Sequence, residues 1–120
     1  MLTFREFSVT NHRRCTSPRG FDHSLESWSL SDWLVAVVGE LGEAANILKK
    51  LNRVRDGIPG NGEGEDEMSL NIKFRDEIAD AFIYLDLLSQ AAGFPLDTVI
   101  IDKFNRTSAK IGSDIMLPRS

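Results

Sequence analysis

The chain is poor in the side chains that form disulfides or bind zinc. It has one cysteine, Cys15, and two histidines, His12 and His23. A lone cysteine excludes a disulfide within the chain and is typical of a reducing compartment, so we expect a cytoplasmic protein. A zinc site is not expected either, because no pair of histidines or cysteines has the spacing of zinc ligands.

Long apolar runs and excess basic charge are also missing. The longest apolar runs, such as WLVAVV and TVII, are far shorter than the roughly 20 residues of a membrane-spanning helix. The start of the chain, MLTFREFSVT, lacks a basic segment followed by a long apolar one, so no secretory signal is expected.

The net charge of −4 argues against stable nucleic-acid binding, because phosphate contacts need a basic surface. The negative net charge still allows a small phosphorylated ligand to bind, because a bound metal ion reverses the local field of carboxylates.

Apolar residues recur at helical spacing along the first of three predicted helices. Ser29 is placed to cap this helix, with Asp32 at its third position, and the helix is expected to end before Gly57. The spacing predicts one apolar stripe, typical of a core helix. It contains Leu30, Leu34, Val37, Leu41, Leu48 and Leu51.

A loop and two further helices are predicted next. The segment DGIPGNGEGEDEMS is rich in glycine and acids, and its acids are expected to form a solvated tip. These acids are Glu63, Glu65, Asp66 and Glu67. The second helix is predicted over about 70–92, between Ser69 as its cap and Gly93 as its stop. The third is predicted after Pro95, through to about Lys110.

The remaining residues show no clear period. The first 28 residues mix proline, glycine, serine and charges, which predicts an irregular N-terminal arm, with a short strand within LTFREFSV as the alternative. The chain is therefore expected to divide into an arm over 1–28, a helical domain over 29–112 and a C-terminal tail over 113–120.

The expected fold class is all-α. Three helices cannot bury all of this apolar surface, so we expect a bundle completed by dimerisation.

Two pairs of acids interrupt the apolar stripes of the long helices. Glu40 and Glu43 lie one helical turn apart, and Glu77 and Asp80 repeat this spacing on the next helix. Apolar and aromatic residues flank both pairs, unlike a solvated charged face. The flanking residues are Trp33, Ala36, Ile47, Ala81, Tyr84 and Leu88. Four converging carboxylates repel each other, and their burial without a partner is costly, so a divalent cation would stabilise them.

The ligand chemistry favours Mg²⁺, with Mn²⁺ as a substitute, because all four side chains offer oxygen only. A di-iron carboxylate centre is the rival interpretation, but it uses E-x-x-H motifs, and both histidines precede the first long helix. Coordination positions left open suit metal-assisted chemistry on a phosphorylated substrate.

At these residues the sequence resembles the MazG-like family of all-α nucleoside triphosphate pyrophosphohydrolases. Their pattern is E-x-x-E on one helix and E-x-x-D on the next, and GELGEAANILKK and DEIADAFIYLDLL are similar to those two segments. KFNRTSAKIG, residues 103–112, is similar to the basic segment that follows in many members. The resemblance spans about 28–112. One departure is the gap from Glu43 to Glu77, which is longer than is usual in the family.

The resemblance implies a helical bundle of the all-α NTP pyrophosphatase type. It also implies hydrolysis of a (deoxy)nucleoside triphosphate to the monophosphate and pyrophosphate, in nucleotide-pool cleaning or control. Glu40 and Glu43 are then the catalytic candidates, one of them accepting a proton from the attacking water. The implied Mg²⁺ ligands are Glu40, Glu43, Glu77 and Asp80. The implied substrate-binding residues are Lys103, Arg106 and Lys110 for phosphate, and Trp33 and Tyr84 for base stacking.

Several alternatives stay open at this point. The helices could form a non-catalytic association module, or the substrate could be dUTP or a phosphoribosyl nucleotide. Trp33 and Tyr84 could serve core packing, and Lys103 could be an ordinary surface lysine. The expected partners are a nucleoside triphosphate substrate and further copies of the chain, as a homodimer or homotetramer, with no membrane.

Overall fold

The structure, a computed structural model, describes residues 1–59 and 65–119. All regular elements in these ranges are helices, which confirms the predicted all-α class. They are α1 (Phe4–Thr16), a short 3-10 helix (Leu25–Ser27), α2 (Leu30–Arg55), α3 (Glu67–Ala92) and α4 (Leu96–Lys110). Within the described ranges, no helix has the combined length and apolar character needed to cross a membrane.

The helix α2 begins and ends as predicted. The Ser29 hydroxyl accepts a hydrogen bond from the backbone N–H of Asp32, and the Asp32 carboxylate accepts one from the backbone N–H of Ser29. Such a cap contributes about 1 kcal/mol to helix stability. At the other end Gly57 has φ of 68°, a left-handed conformation that glycine adopts without steric cost.

The helix α3 begins earlier than predicted, at Glu67. Asp66 rather than Ser69 caps it, because the Asp66 carboxylate accepts a hydrogen bond of 2.7 Å from the backbone N–H of Ser69. The predicted solvated tip is wrong for Glu65, whose side chain is 23% exposed and ion-paired with both Lys50 and Lys73. Lys50 lies on α2 and Lys73 on α3, and their ammonium groups compensate the negative charge of the Glu65 carboxylate. The predicted tip residue Glu63 lies outside the described residues.

The helix α4 agrees with its predicted range. It begins at Leu96, directly after Pro95 at the N-cap, and ends at Lys110. Gly93 and Gly112 both have positive φ, of 83° and 74°, consistent with the chain leaving α3 and α4 at these points.

The irregular N-terminal arm is a wrong prediction, and so is its alternative, a short strand. Residues Phe4–Thr16 form α1, which Thr3 and Glu6 cap through reciprocal side chain–backbone hydrogen bonds. The helix buries Asn11 and Cys15 rather than a row of large apolar side chains. A search for apolar period therefore misses it, although the capping sequence TFRE was available as a signal.

The chain divides into two compact units, one formed by residues 1–27 and 86–120 and the other by residues 28–85. In the first unit α1 is held by the carboxylate of Asp86, which is 1% exposed. This carboxylate accepts hydrogen bonds from Ser8 Oγ at 2.9 Å, Asn11 Nδ2 at 3.0 Å and Gln90 Nε2 at 2.9 Å. The domain boundaries inferred from the sequence stay a prediction.

Replacing Asp86 with alanine is expected to lower the free energy of unfolding by about 2–4 kcal/mol. The substitution leaves the buried amide of Asn11 and the half-buried donors of Ser8 and Gln90 without their acceptor. Urea denaturation measures the loss, with Asp76→Ala, an exposed aspartate on the same helix, as the matched control. If both variants unfold within about 0.5 kcal/mol of the unmodified protein, the range of an ordinary surface change, this account of α1 is wrong.

In the second unit, α2 does not bury the apolar stripe that its spacing suggests. Its buried residues are Trp33, Val37, Ala44 and Ile47. This face includes the stripe that carries the acids, whereas most of the leucine-rich stripe is open in the single chain. The exposed fractions are 51% for Leu30, 50% for Leu34, 47% for Leu41 and 40% for Leu48.

Candidate metal centre

Three glutamates from two helices meet in the unit formed by residues 28–85. Glu40 and Glu43 lie on α2 and Glu77 lies on α3, and one carboxylate oxygen of each lies within 4.8 Å of the others. Glu40 and Glu77 are half-buried, and Glu43 is exposed. The sequence had placed these acids in two separate pairs, and the packing of α2 with α3 brings three of them together.

The helices position these carboxylates through their apolar neighbours. On α2, Ala44 and Ile47 are buried one turn beyond the two glutamates. On α3, Ala81 is buried one turn beyond Glu77. Because residues one turn apart share a helix face, the same packing that buries these side chains directs the glutamates towards one another.

The cluster holds more negative charge than its surroundings compensate. The pKa of Glu43 is raised, first by a hydrogen bond with the Glu77 carboxyl and then by the charge of Glu77. The pKa of Glu77 is raised chiefly by its hydrogen bond with Glu40, and further by burial and neighbouring charge. The Oε2 atom of Glu77 is buried and has no hydrogen-bond partner. A bound proton or a cation is therefore needed to stabilise the cluster.

Asp80, the fourth predicted ligand, is not part of this group of three. It is exposed, and its charge raises the pKa of both Glu43 and Glu77. Asp80 therefore strengthens the negative field at the edge of the cluster, which increases its attraction for a cation.

The donor set fits a hard divalent cation. Three glutamates supply oxygen ligands only, and the unpaired Oε2 of Glu77 is a ready acceptor. Mg²⁺ prefers oxygen and about six ligands, so three protein oxygens leave about half of the positions for water or phosphate oxygens. Mn²⁺ accepts the same donors. The geometry is thus compatible with the predicted cofactors.

The two predicted base-stacking residues have different surroundings. Trp33 is 2% exposed and packs against Trp28, with ring centroids 4.7 Å apart, and against Tyr84 at 6.4 Å. Core packing accounts for the buried position of Trp33. Tyr84 is half-buried. Base stacking stays a prediction for both.

The predicted phosphate-binding residues belong to the other unit. Lys103, Arg106 and Lys110 are exposed on α4, within the unit formed by residues 1–27 and 86–120. Their role in substrate binding therefore stays a prediction.

The fold and the site together define an all-helical protein with a three-glutamate cluster suited to a hard cation. No protein-family model, curated protein or solved structure matches the chain. A functional assignment therefore depends on the geometry of these side chains.

Proposed function

We propose that the chain is a Mg²⁺-dependent pyrophosphohydrolase of nucleoside or deoxynucleoside triphosphates, acting in the cytoplasm on the nucleotide pool. The observation that supports this most is the convergence of Glu40, Glu43 and Glu77, with a buried and unpaired oxygen on Glu77. The spacing of the acids along α2 and α3 gives the same assignment through its resemblance to MazG-like sequences.

The three glutamates divide into two roles in the proposed mechanism. Glu40 and Glu77 are half-buried, so they would hold the ion in a fixed position. Glu43 is exposed, and the carboxyl of Glu77 raises its pKa, so Glu43 would accept the proton of the attacking water. Mg²⁺ supplies charge neutralisation of the phosphates and activation of water when it is bound.

A panel of nucleoside and deoxynucleoside triphosphates with Mg²⁺ tests this function. The expected products are the monophosphate and pyrophosphate, so the assay must separate pyrophosphate from orthophosphate. Mn²⁺ is expected to support the same reaction. Release of orthophosphate alone, or no turnover of any nucleotide together with no stabilisation by metal, would contradict the proposal. Extending the panel to dUTP and phosphoribosyl nucleotides distinguishes the related substrates.

We also propose that a second copy of the chain covers the exposed leucine-rich stripe of α2. Four leucines of this stripe are 40–51% exposed in the single chain. They recur at spacings of four and seven residues, which gives a continuous apolar surface along the helix. A homodimer or homotetramer buries this surface.

Leu34→Asp is expected to convert this oligomer to monomers, because it places a charge in the apolar contact. Light scattering coupled to size exclusion measures the mass. Asn46→Asp is the control, since it adds the same charge on α2 at an exposed position outside the leucine-rich stripe. A monomeric unmodified protein, or equal masses for all three proteins, would contradict the proposed interface. A stable oligomer without turnover of any nucleotide would favour an association module.

A further inference from the structure

A second charged site lies at the C-terminal end of α1, where the helix and the following loop border an open pocket of about 280 Å³. Three arginines, two hydroxyl side chains and a glycine line it, and no acid does. The lining residues are Thr10, Arg13, Arg14, Ser17, Arg19 and Gly20. This volume is slightly below that of a typical cofactor pocket, so it suits a small ligand.

Backbone hydrogen bonds fold the loop back onto the end of α1. The N–H of Phe21 donates to the carbonyl oxygen of Arg14 at 2.9 Å, and the N–H of His23 donates to that of Cys15 at 2.8 Å. Gly20 lies so close that a Cβ at this position would be 1.9 Å from the carbonyl oxygen of Arg14. Arg14 in turn stacks its guanidinium over the ring of Phe21, at 5.6 Å. The loop therefore holds Arg19 beside the helix end before any ligand arrives.

Among the described residues, none of the three guanidinium groups forms an ion pair with an acid. The ion pairs within residues 1–59 and 65–119 involve Lys50, Arg55, Lys73 and Arg119 as cations, and none of the pocket arginines. The end of a helix carries only about half a negative charge, so it cannot balance three guanidinium groups. This concentration of positive charge stands out in a chain whose net charge is −4. An anion in the pocket would relieve the repulsion.

We propose that this pocket binds a small phosphorylated anion without the help of a metal ion. Guanidinium groups match phosphate oxygens with paired, charge-assisted hydrogen bonds, and three of them suit one or two phosphate groups. The hydroxyls of Thr10 and Ser17 supply further polar contacts. Free pyrophosphate and the phosphate chain of a nucleotide share this chemistry. The site uses none of the three glutamates, so it does not depend on the proposed catalytic function.

Calorimetric titration of the full-length protein in EDTA tests the proposal, with inorganic pyrophosphate as the ligand. Removing the metal excludes binding at the glutamates. Arg13→Gln and Arg19→Gln are each expected to weaken binding at least about 10-fold, the effect of losing a charge-assisted hydrogen bond. Arg5→Gln removes the same charge from α1 outside the pocket and is expected to bind pyrophosphate normally. The substituted residues Arg5, Arg13 and Arg19 are all exposed, so circular dichroism should show unchanged folding in each variant.

Parallel titrations with a nucleoside monophosphate and triphosphate distinguish the two sources of phosphate. Tighter binding of the triphosphate than of pyrophosphate assigns the site to nucleotides, and equal or weaker binding assigns it to free pyrophosphate. Either result supports the pocket if both pocket variants lose affinity. No binding of any of the three ligands in EDTA would overturn the proposal. Unchanged binding in the pocket variants, or an equal loss in Arg5→Gln, would overturn it as well.

Discussion

Glu77→Gln is expected to reduce pyrophosphate release at least about 100-fold, since changes that only touch the supports of a metal ligand already cost about 10–100-fold. Glu77 is the single member of the cluster contributed by α3, and its Oε2 is the buried oxygen without a partner. Glutamine keeps the shape of the side chain but removes the charge that attracts the cation. The same substitution should raise the stability of the metal-free protein, because it removes one of three crowded carboxylates.

This opposite movement of activity and metal-free stability separates a metal ligand from a structural residue. Initial rates of pyrophosphate release and thermal unfolding in EDTA measure the two quantities on the same samples. Asp76→Asn is the matched control, because Asp76 precedes Glu77 on α3 and is exposed. It is expected to leave the rate within about twofold of the unmodified protein, as is usual for a surface change. Full activity in Glu77→Gln, or reduced stability in EDTA, would contradict the assigned role.

The stabilising effect of Mg²⁺ is expected to grow as the pH rises. Without metal, the folded-state pKa values of Glu43 and Glu77 lie above the ordinary glutamate value of 4.5. At pH values between the ordinary pKa and the raised pKa values, the folded state therefore binds more protons than the unfolded chain. The contribution of the two groups to stability is greatest below the ordinary pKa and is lost as the pH rises through the raised pKa values. Mg²⁺ competes with those protons, so it stabilises the protein most where both groups are ionised.

Thermal unfolding in Mg²⁺ and in EDTA, from about pH 4 to pH 8, measures this effect across the range where glutamates titrate. The difference between the two melting temperatures should be small at the acid end and increase towards neutral pH. Glu43→Gln should flatten the pH dependence in EDTA and shrink the Mg²⁺ effect. A Mg²⁺ effect that is constant with pH would contradict binding of the ion by these glutamates. An effect that survives unchanged in Glu43→Gln would contradict a contribution of Glu43 to the site.

Local signals in the sequence predict the helices that have strong caps and apolar spacing. Ser29 and Asp32 define the start of α2, and Gly93 and Gly112 mark the ends of α3 and α4. The helix α1 was missed because its buried face carries Asn11, whose amide bonds to Asp86 far along the chain. No periodicity of apolar residues reports a polar contact of this kind.

The candidate site was predictable as two acidic pairs but not as a geometry. Spacing along a helix places Glu40 beside Glu43, and the same rule places Glu77 beside Asp80. Which members meet depends on the register between α2 and α3, and that register brings in Glu77 but not Asp80.

The arginine pocket escaped prediction for a different reason. It depends on backbone hydrogen bonds that turn the loop onto the end of α1 and on the close approach of Gly20 to Arg14. The sequence there shows only scattered arginines, because the loop closure that gathers them leaves no repeating pattern.

Binding of Mn²⁺, followed by electron paramagnetic resonance, is the most direct test of the claim that the three glutamates form a cation site. Free Mn²⁺ gives a strong signal in solution that bound Mn²⁺ loses. The full-length protein should remove this signal in proportion to its concentration, and added Mg²⁺ should restore it. The double variant Glu43→Gln, Glu77→Gln should leave the signal of free Mn²⁺ almost unchanged. Equal removal of the signal by both proteins would contradict the account.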